Sequence, residues 1–231
     1  MSIDNNSPET RKPDYQMMSW LYYIGHWGVS LFLFLFTSFR VKGRQNVPKN
    51  GPVLVTSNHL SLMDPPVVGV SMRRTIIFMA KEELFRSRFS GYFIRRFGAF
   101  PVHRGRFDRE AIRQAEQTLA KGRMLVMFPE GHRRGQEGYT PEGYVGAALI
   151  AVRTKALILP VGITGTENLK GWKWMFKRPR ITVNIGPAFV LDAAKGPGEK
   201  ARLEEDTRII MQHINKLLPP EYHSQAGEKR A

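Results

Sequence analysis

The sequence contains no cysteine among its 231 residues. This absence excludes disulfide frameworks, thiol nucleophiles and cysteine-ligated metal sites. The chain also has no Gly-x-Ser-x-Gly segment, the turn that presents a serine nucleophile in many hydrolases. Neither thiol chemistry nor that form of serine chemistry is therefore expected.

Acidic residues are scarce, since 20 Asp and Glu stand against 35 Lys and Arg, which gives a formal net charge of +15. A basic excess of this size favours anionic partners: nucleic acid, an acidic membrane surface or a phosphorylated small molecule. The composition is 42% hydrophobic and 24% charged, as in a globular protein. The length suits one domain that can bury a core without disulfides or metals.

Charge is missing entirely from Tyr15 to Phe39. A membrane-spanning helix needs only about 20 such residues. Aromatic residues suited to a headgroup interface crowd the first half, and Leu31 to Phe36 is purely apolar. We predict a membrane-associating helical segment over residues 15–39, with spanning and half-inserted placements both open. A cleaved signal peptide and a buried core helix are the alternatives.

Strand and helix patterns alternate along the rest of the chain. Short apolar runs predict strands at residues 51–58, 75–80, 123–129, 156–163 and 180–186. Helical spacing predicts helices from an N-cap at Asp108 to Gly122, over 144–153 and over 202–218. The alternation predicts an α/β domain over residues 40–222, with a buried mixed β-sheet flanked by helices. Residues 1–14 and 223–231 are predicted to be polar tails.

His59 and Asp64 directly follow the first of these strands, within NHLSLMD at residues 58–64. Ligands of α/β sheets usually bind at strand ends, where a histidine can take a proton from a hydroxyl while a carboxylate holds its other ring nitrogen. The alternative is a polar turn in which Asp64 caps a helix that starts at Pro65. His103 and Asp108 repeat the interval, so we expect one pair to be coincidental. We interpret the pair at His103 as structural, because Asp108 opens a helix and His103 follows no long apolar strand.

Two further segments are rich in cationic side chains. FPEGHRRG at residues 128–135 combines a glycine-bearing turn with arginines, which suits an anion such as phosphate; a solvated surface turn is the alternative. Lys81 and GAFPVHRG at residues 98–105 belong to a basic segment interleaved with aromatic residues, and residues 172–178 have the same character. Such segments suit a membrane surface or single-stranded nucleic acid.

From about Val41 to Asp192, the order of these motifs resembles the 1-acylglycerol-3-phosphate acyltransferase (lysophosphatidic acid acyltransferase) family, with LILPVGI at residues 157–163 as a fourth block. The resemblance implies that His59 is the general base and that Asp64 is its partner. It implies phosphate-binding roles for Lys81, Arg104 and Arg133. The implied acceptor-binding motif is Phe128, Pro129, Glu130 and Gly131.

The resemblance further implies transfer of a fatty acyl group from acyl-CoA or acyl carrier protein to the free hydroxyl of 1-acylglycerol 3-phosphate, giving phosphatidic acid in phospholipid biosynthesis. No metal or prosthetic group is expected. The expected partners are the membrane lipid acceptor, the acyl donor and an anionic membrane surface, not nucleic acid. The enzyme is expected to be membrane-associated, with its catalytic domain facing the cytoplasm.

Three residues depart from the family pattern. His132 and Arg134 stand where Thr and Ser usually flank the arginine of the third block, FPEGHRRG at residues 128–135, and His103 precedes Arg104. The acceptor therefore stays open between lysophosphatidate and glycerol 3-phosphate, another lysophospholipid or an amino-lipid. A non-catalytic basic protein that binds membranes or nucleic acid is the alternative from another class.

Overall fold

The fold is built on a seven-stranded sheet, seen in a computed structural model that describes residues 20–103, 108–191 and 198–223. Its spatial order is β1-β7-β6-β2-β5-β3-β4. Neighbouring strands are parallel except for the antiparallel pair β6 and β7, so the predicted mixed sheet is confirmed. The strands are β1 Ser38–Lys42, β2 Val53–Ser57, β3 Ile76–Lys81, β4 Ala99–Val102, β5 Met124–Met127, β6 Leu157–Thr164 and β7 Arg180–Ile185.

Helices cover both faces of the sheet. They are α1 Trp20–Phe36, α2 Asp64–Ser71, α3 Arg88–Arg96, α4 Arg109–Ala120, α5 Gly146–Thr154 and α6 Glu199–Asn215. Short 3-10 helices lie at Arg44–Asn46, Glu82–Phe85, Thr166–Asn168, Lys173–Phe176 and Pro220–Tyr222. The three predicted helices correspond to α4, α5 and α6, and Asp108 caps α4 as expected.

Successive side chains of a strand face opposite sides of the sheet, and each side has its own core. Val53 and Val55 of β2 pack on the side of α1 and α2, whereas Leu54 between them packs on the side of α4, α5 and α6. All three side chains are fully buried. This two-sided burial explains why the central strands read as continuous apolar runs.

The helix α1 packs on the sheet through one side only. Leu33 belongs to the core, whereas Trp20, Trp27 and Phe34 are largely exposed, so α1 is not a buried core helix. It ends at Phe36, and β1 takes the end of the predicted 15–39 segment into the sheet. Residues 15–19 lie outside the described part. Within the part that is described, no helix is long and apolar enough to cross a membrane.

Candidate active site

The loops that follow five strands meet along one edge of the sheet. The strands β4, β3, β5, β2 and β6 run parallel, so their carboxyl ends share that edge. Lys81 ends β3, His59 follows β2, Glu130 follows β5 and Thr166 follows β6. Parallel topology therefore collects the motifs that are far apart in sequence, at the edge where α/β proteins usually bind ligands.

His59 and Asp64 form a buried pair. Nδ1 of His59 lies 2.8 Å from Oδ2 of Asp64, and the two residues are 4% and 0% exposed. Because an ionised carboxylate only accepts hydrogen bonds, Nδ1 carries the proton and Nε2 keeps its lone pair. Nε2 has no hydrogen-bond partner among the residues described, and His59 lines an apolar cavity. The imidazole is therefore arranged as a general base.

The carboxylate of Asp64 is fixed by three further donors. Oδ2 accepts the backbone N–H groups of Leu60 at 2.6 Å and Ser61 at 2.7 Å. Oδ1 accepts the hydroxyl of Thr166 at 2.5 Å. The carboxylate thus points back into its own turn, and Met63 occupies the N-cap position of α2. The alternative in which Asp64 is merely a helix cap is wrong.

The third block holds the backbone of His59. The N–H of His59 donates to Oε2 of Glu130 at 2.7 Å, and the N–H of Arg134 donates to the carbonyl of His59 at 2.9 Å. Glu130 is only 5% exposed, and burial raises the pKa of its carboxyl to about 7 despite the nearby N–H of His59 and the Arg134 guanidinium, which lower it. In this structure Glu130 fixes the position of the histidine.

Phe128 and Gly131 shape the same turn. The Phe128 ring stacks on the His59 imidazole with 4.2 Å between centroids, and Pro129 is buried beside it. Gly131 has a φ of 73°, and a Cβ built there would lie 2.3 Å from the Tyr144 ring. The turn therefore requires glycine at this position because of both backbone conformation and space.

Two of the three cationic residues assigned to phosphate binding, Lys81 and Arg133, lie in the described part of the chain and contact polar side chains there. Nε of Arg133 donates to Oε1 of Gln136 at 3.1 Å, and Nζ of Lys81 lies 3.2 Å from Oε1 of Glu83. Lys81 also lines the cavity beside His59, whereas Arg104 lies outside the described residues. The structure therefore places Lys81, but not Arg133, in the wall of that cavity.

His103 and Asp108 reproduce the contact of the first pair. Nδ1 of His103 lies 2.9 Å from Oδ2 of Asp108, so both intervals bring a histidine against a carboxylate. His103 directly follows the short strand β4, which agrees with the expectation that no long apolar strand precedes it. Burial pushes the pKa of Asp108 upward, but the N–H groups of His103 and Ala111 outweigh it and leave the pKa below its usual value.

The two pairs differ at the second ring nitrogen. Nε2 of His103 contacts the carboxylate of Glu82, and the side chain is 38% exposed. Asp108 also caps α4 by accepting the N–H of Ala111 at 3.0 Å. Both ring nitrogens of His103 thus contact carboxylates, whereas Nε2 of His59 has no such partner among the residues described. These contacts support the structural interpretation of the second pair.

The sequence that forms this site matches a known protein family. A family model described as Acyltransferase matches residues 38–164, more than half of the chain. The chain belongs to the acyltransferase family. The matched region contains His59, Asp64, Glu130 and the strands β1 to β6 that position them.

Individual acyltransferases agree with the family match. A 1-acyl-sn-glycerol-3-phosphate acyltransferase of Streptococcus pneumoniae (strain ATCC BAA-255 / R6) is 37% identical over 145 residues, which cover 62% of this chain and about half, 52%, of that protein. One of Bacillus subtilis (strain 168) is 29% identical over 180 residues, covering 77% and 87%. The crystal structure of the 1-acyl-sn-glycerophosphate acyltransferase of Thermotoga maritima has a TM-score of 0.61 and 28% identity, covering 85% of this chain and 79% of that one.

Two apolar cavities flank Phe128 in this acyltransferase. One, of about 360 Å³, contains His59 and is lined by α1, α2, β3 and α3, including Tyr22, Gly69, Phe78 and Ile94. The other, of about 410 Å³, lies between β4, α4 and α5 and has His103 and Asp108 in its wall. The predominantly apolar lining suits hydrocarbon chains.

Sequence reasoning did not single out two residues of the site. The Asn58 amide bridges β2 to β6, accepting from the N–H of Ile163 at 2.7 Å and donating to its carbonyl at 2.9 Å. The other residue is Thr166, which contacts Asp64. Asn58 stands inside the NHLSLMD motif and Thr166 follows the fourth block, but side chains that bond across the fold leave no spacing pattern in the sequence.

Proposed function

We propose that this acyltransferase transfers a fatty acyl group from an acyl thioester, acyl-CoA or acyl carrier protein, to the free hydroxyl of 1-acylglycerol 3-phosphate. The product is phosphatidic acid, for phospholipid biosynthesis. The observation that carries the proposal is the buried pair of His59 and Asp64, in which His59 lines an apolar cavity. The names of the Streptococcus and Bacillus relatives support the choice of acceptor.

In the proposed reaction, Nε2 of His59 accepts the proton of the acceptor hydroxyl while the oxygen attacks the thioester carbonyl. Asp64 stabilises the imidazolium that forms. Collapse of the tetrahedral intermediate breaks the carbon–sulfur bond, and the departing thiolate receives the proton from the imidazolium. The acyl group passes directly from sulfur to oxygen, which agrees with a chain that has no cysteine nucleophile.

The cavity beside His59 accepts a hydrocarbon chain in this proposal. It lies between the sheet and α1, so a chain bound there would have its carbonyl end near the imidazole and its tail beneath the N-terminal helix. Burying each methylene is worth about 0.8 kcal/mol, which supplies the affinity for a long apolar substrate.

The proposed location is an anionic membrane surface, with the catalytic domain on the cytoplasmic side. The exposed face of α1 supplies Trp20, Trp27 and Phe34. The basic and aromatic segment 172–178 continues that face: Trp174 packs against Phe32 with 5.7 Å between ring centroids. Aromatic rings and cations on one face suit the boundary between headgroups and acyl chains.

The experiment that tests the function is a panel of acceptors offered to the purified protein with acyl-CoA and with acyl carrier protein as donors. We expect phosphatidic acid from lysophosphatidate, and about 10²- to 10⁴-fold slower formation by the His59→Ala variant. If the wild-type protein acylated no acceptor faster than the His59→Ala variant does, the proposal would be contradicted. It would favour a non-catalytic protein that binds membranes or nucleic acid.

The second candidate function is acyl transfer to a different acceptor. The sequence of the third block is the reason for testing such acceptors. His132 turns its Nδ1 to the carbonyl of Gly138 at 3.0 Å, and Arg134 extends to the exposed surface. The donors that flank Arg133 thus differ in kind from the family's usual hydroxyls. A preference for glycerol 3-phosphate, another lysophospholipid or an amino-lipid would establish this alternative.

A further inference from the structure

Asp64 receives one hydrogen bond from outside its own turn, among the residues that the structure describes. His59, Leu60 and Ser61 all contact Oδ2 and lie within five positions of Asp64 in the sequence. Oδ1 is contacted by the hydroxyl of Thr166. Since Asp64 is fully buried, no solvent can replace this donor. The orientation of the carboxylate therefore depends on a residue 102 positions away.

The backbone around Thr166 is fixed by a sharp turn. Gly165 has a φ of 90°, and a Cβ built there would lie 2.0 Å from the carbonyl oxygen of Arg180 in β7. The chain then enters the 3-10 helix Thr166–Asn168, where Thr166 is fully buried. This close approach to β7 directs the Thr166 hydroxyl at Asp64.

The next residue connects this helix to the C-terminal segment. The hydroxyl of Tyr222 donates to Oε1 of Glu167, and Tyr222 belongs to the 3-10 helix Pro220–Tyr222. Burial and the contact with Glu167 raise the pKa of Tyr222 to about 12, so the hydroxyl keeps its proton at any working pH. The C-terminal segment is thus joined to the residue adjacent to Thr166.

We propose that Thr166 is a positioning residue for Asp64, and that the contact between Tyr222 and Glu167 holds Thr166 in place. The proposal rests on the proposed function in that His59 and Asp64 are taken to carry the acyl transfer. By occupying Oδ1, the Thr166 hydroxyl fixes the rotation of the carboxylate, which keeps Oδ2 directed at Nδ1 of His59. Thr166 lines neither cavity beside Phe128. Its loss therefore lowers kcat and leaves substrate binding unchanged.

The test compares Thr166→Val with Thr166→Ser. Valine has nearly the shape of threonine but leaves Oδ1 as a buried acceptor without a donor. We expect kcat to fall about ten- to one-hundredfold with KM within about twofold for both substrates. Serine restores the donor, so most of kcat should return. Thr118→Val is the matched control, because its buried hydroxyl donates to the carbonyl of Gln114 in its own helix, at 2.8 Å, and kcat should stay unchanged.

Tyr222→Phe tests the outer contact at a half-buried position and does not depend on the folding of the valine variant. We expect a smaller fall in kcat, again at constant KM. Combined with Thr166→Val it should cause no further loss, because both changes act through the orientation of Asp64. A multiplicative loss, or a Tyr222→Phe enzyme with wild-type kcat, would overturn the role of the C-terminal segment.

A spectroscopic readout separates this proposal from the proposed function. The Nδ1–H proton of His59 reports its hydrogen bond to Asp64 by NMR, with or without any known substrate. We expect its signal to shift or broaden in Thr166→Val and to recover in Thr166→Ser. An unchanged signal, wild-type kcat in the valine variant, or equal impairment of serine and valine variants would overturn the proposal. A wild-type protein inactive on every acceptor contradicts only the proposed function.

Discussion

Glu130 accepts the backbone N–H of His59 at 2.7 Å, so a buried carboxyl of the third block fixes the histidine of the first. The sequence motif of Glu130 resembles an acceptor-binding block, but its carboxyl is directed at the histidine backbone. The two blocks are adjacent because β2 and β5 are parallel neighbours that end at the same edge. The raised pKa of Glu130 also links the stability of the fold to pH.

Stability should depend on pH through Glu130. Its pKa is raised from 4.5 to about 7 in the folded protein, so the folded state holds a proton that the unfolded state has lost between those values. The free energy of unfolding should therefore fall as pH rises through this window, by up to roughly 3 kcal/mol from this group. The measurement is denaturant unfolding at pH 5 and pH 7.5.

Glu130→Gln should remove this part of the pH dependence while keeping an amide oxygen for the N–H of His59. Glu142→Gln is the control, since Glu142 is exposed in the same loop region and should keep the wild-type slope. Identical slopes for wild type and Glu130→Gln would show that the carboxyl is ionised throughout.

Gly131 and Gly135 provide a matched pair in one turn. Both have positive φ, 73° and 80°, but a Cβ on Gly131 would meet the Tyr144 ring at 2.3 Å, whereas one on Gly135 meets nothing within 4 Å. Gly135→Ala should cost only the backbone strain, about 1 kcal/mol. Gly131→Ala should lose about 1–3 kcal/mol more and lower kcat, because the ring must move beside Glu130. Equal losses in thermal unfolding would contradict the steric account.

Binding of the acceptor phosphate should depend on the guanidinium groups of arginine side chains. Arg133→Ala and Arg104→Ala are expected to raise KM for a phosphorylated acceptor, and lysine at either position should rescue poorly because a point charge cannot reproduce a bidentate fork. Arg153→Ala is the control, since Arg153 pairs with Glu116 on α4. Steady-state kinetics decide the matter, and full activity of the lysine variants would argue against bidentate binding.

Membrane binding should depend on the exposed side of α1. Replacing Trp27 and Phe34 by serine should weaken sedimentation with anionic vesicles without unfolding the protein, because neither side chain belongs to the core. Val190→Ser, at an exposed apolar position outside α1, should have no effect. Binding that is unchanged in the double variant, or that ignores vesicle charge, would contradict the proposed membrane face.

Local sequence patterns predicted the central strands because burial on both faces demands unbroken apolar runs, as in Val53 to Val55. They missed β4, which has four residues and includes Pro101, and β1, which lies at the edge and alternates between exposed and half-buried residues. They gave α2 only as the alternative in which a helix starts at Pro65, and they missed α3. The former begins with two prolines after Asp64, and the latter is dominated by basic and aromatic residues.

The site also contains some contacts that the local sequence predicts and others that only the fold creates. His59 and Asp64 were predictable because both lie in one short turn, where the interval itself encodes the contact. The hydrogen bonds from Thr166 to Asp64 and from His59 to Glu130 join residues 102 and 71 positions apart, so only the sheet topology brings them together. The repeated interval at His103 and Asp108 shows the limit of spacing, because the same contact forms there with Nε2 already occupied.

The most direct test of the account is kcat for four variants at the two pairs. His59→Ala should lose about 10²- to 10⁴-fold in kcat, and Asp64→Asn should also impair turnover severely. Asp108→Asn should be nearly silent, because asparagine caps a helix about as well as aspartate.

His103→Ala completes the comparison, with thermal unfolding recorded for every variant to separate lost folding from lost chemistry. It should retain most of kcat, although a change in KM is compatible with its place beside Arg104. If His103→Ala abolishes turnover at normal stability while His59→Ala stays active, the base has been assigned to the wrong histidine.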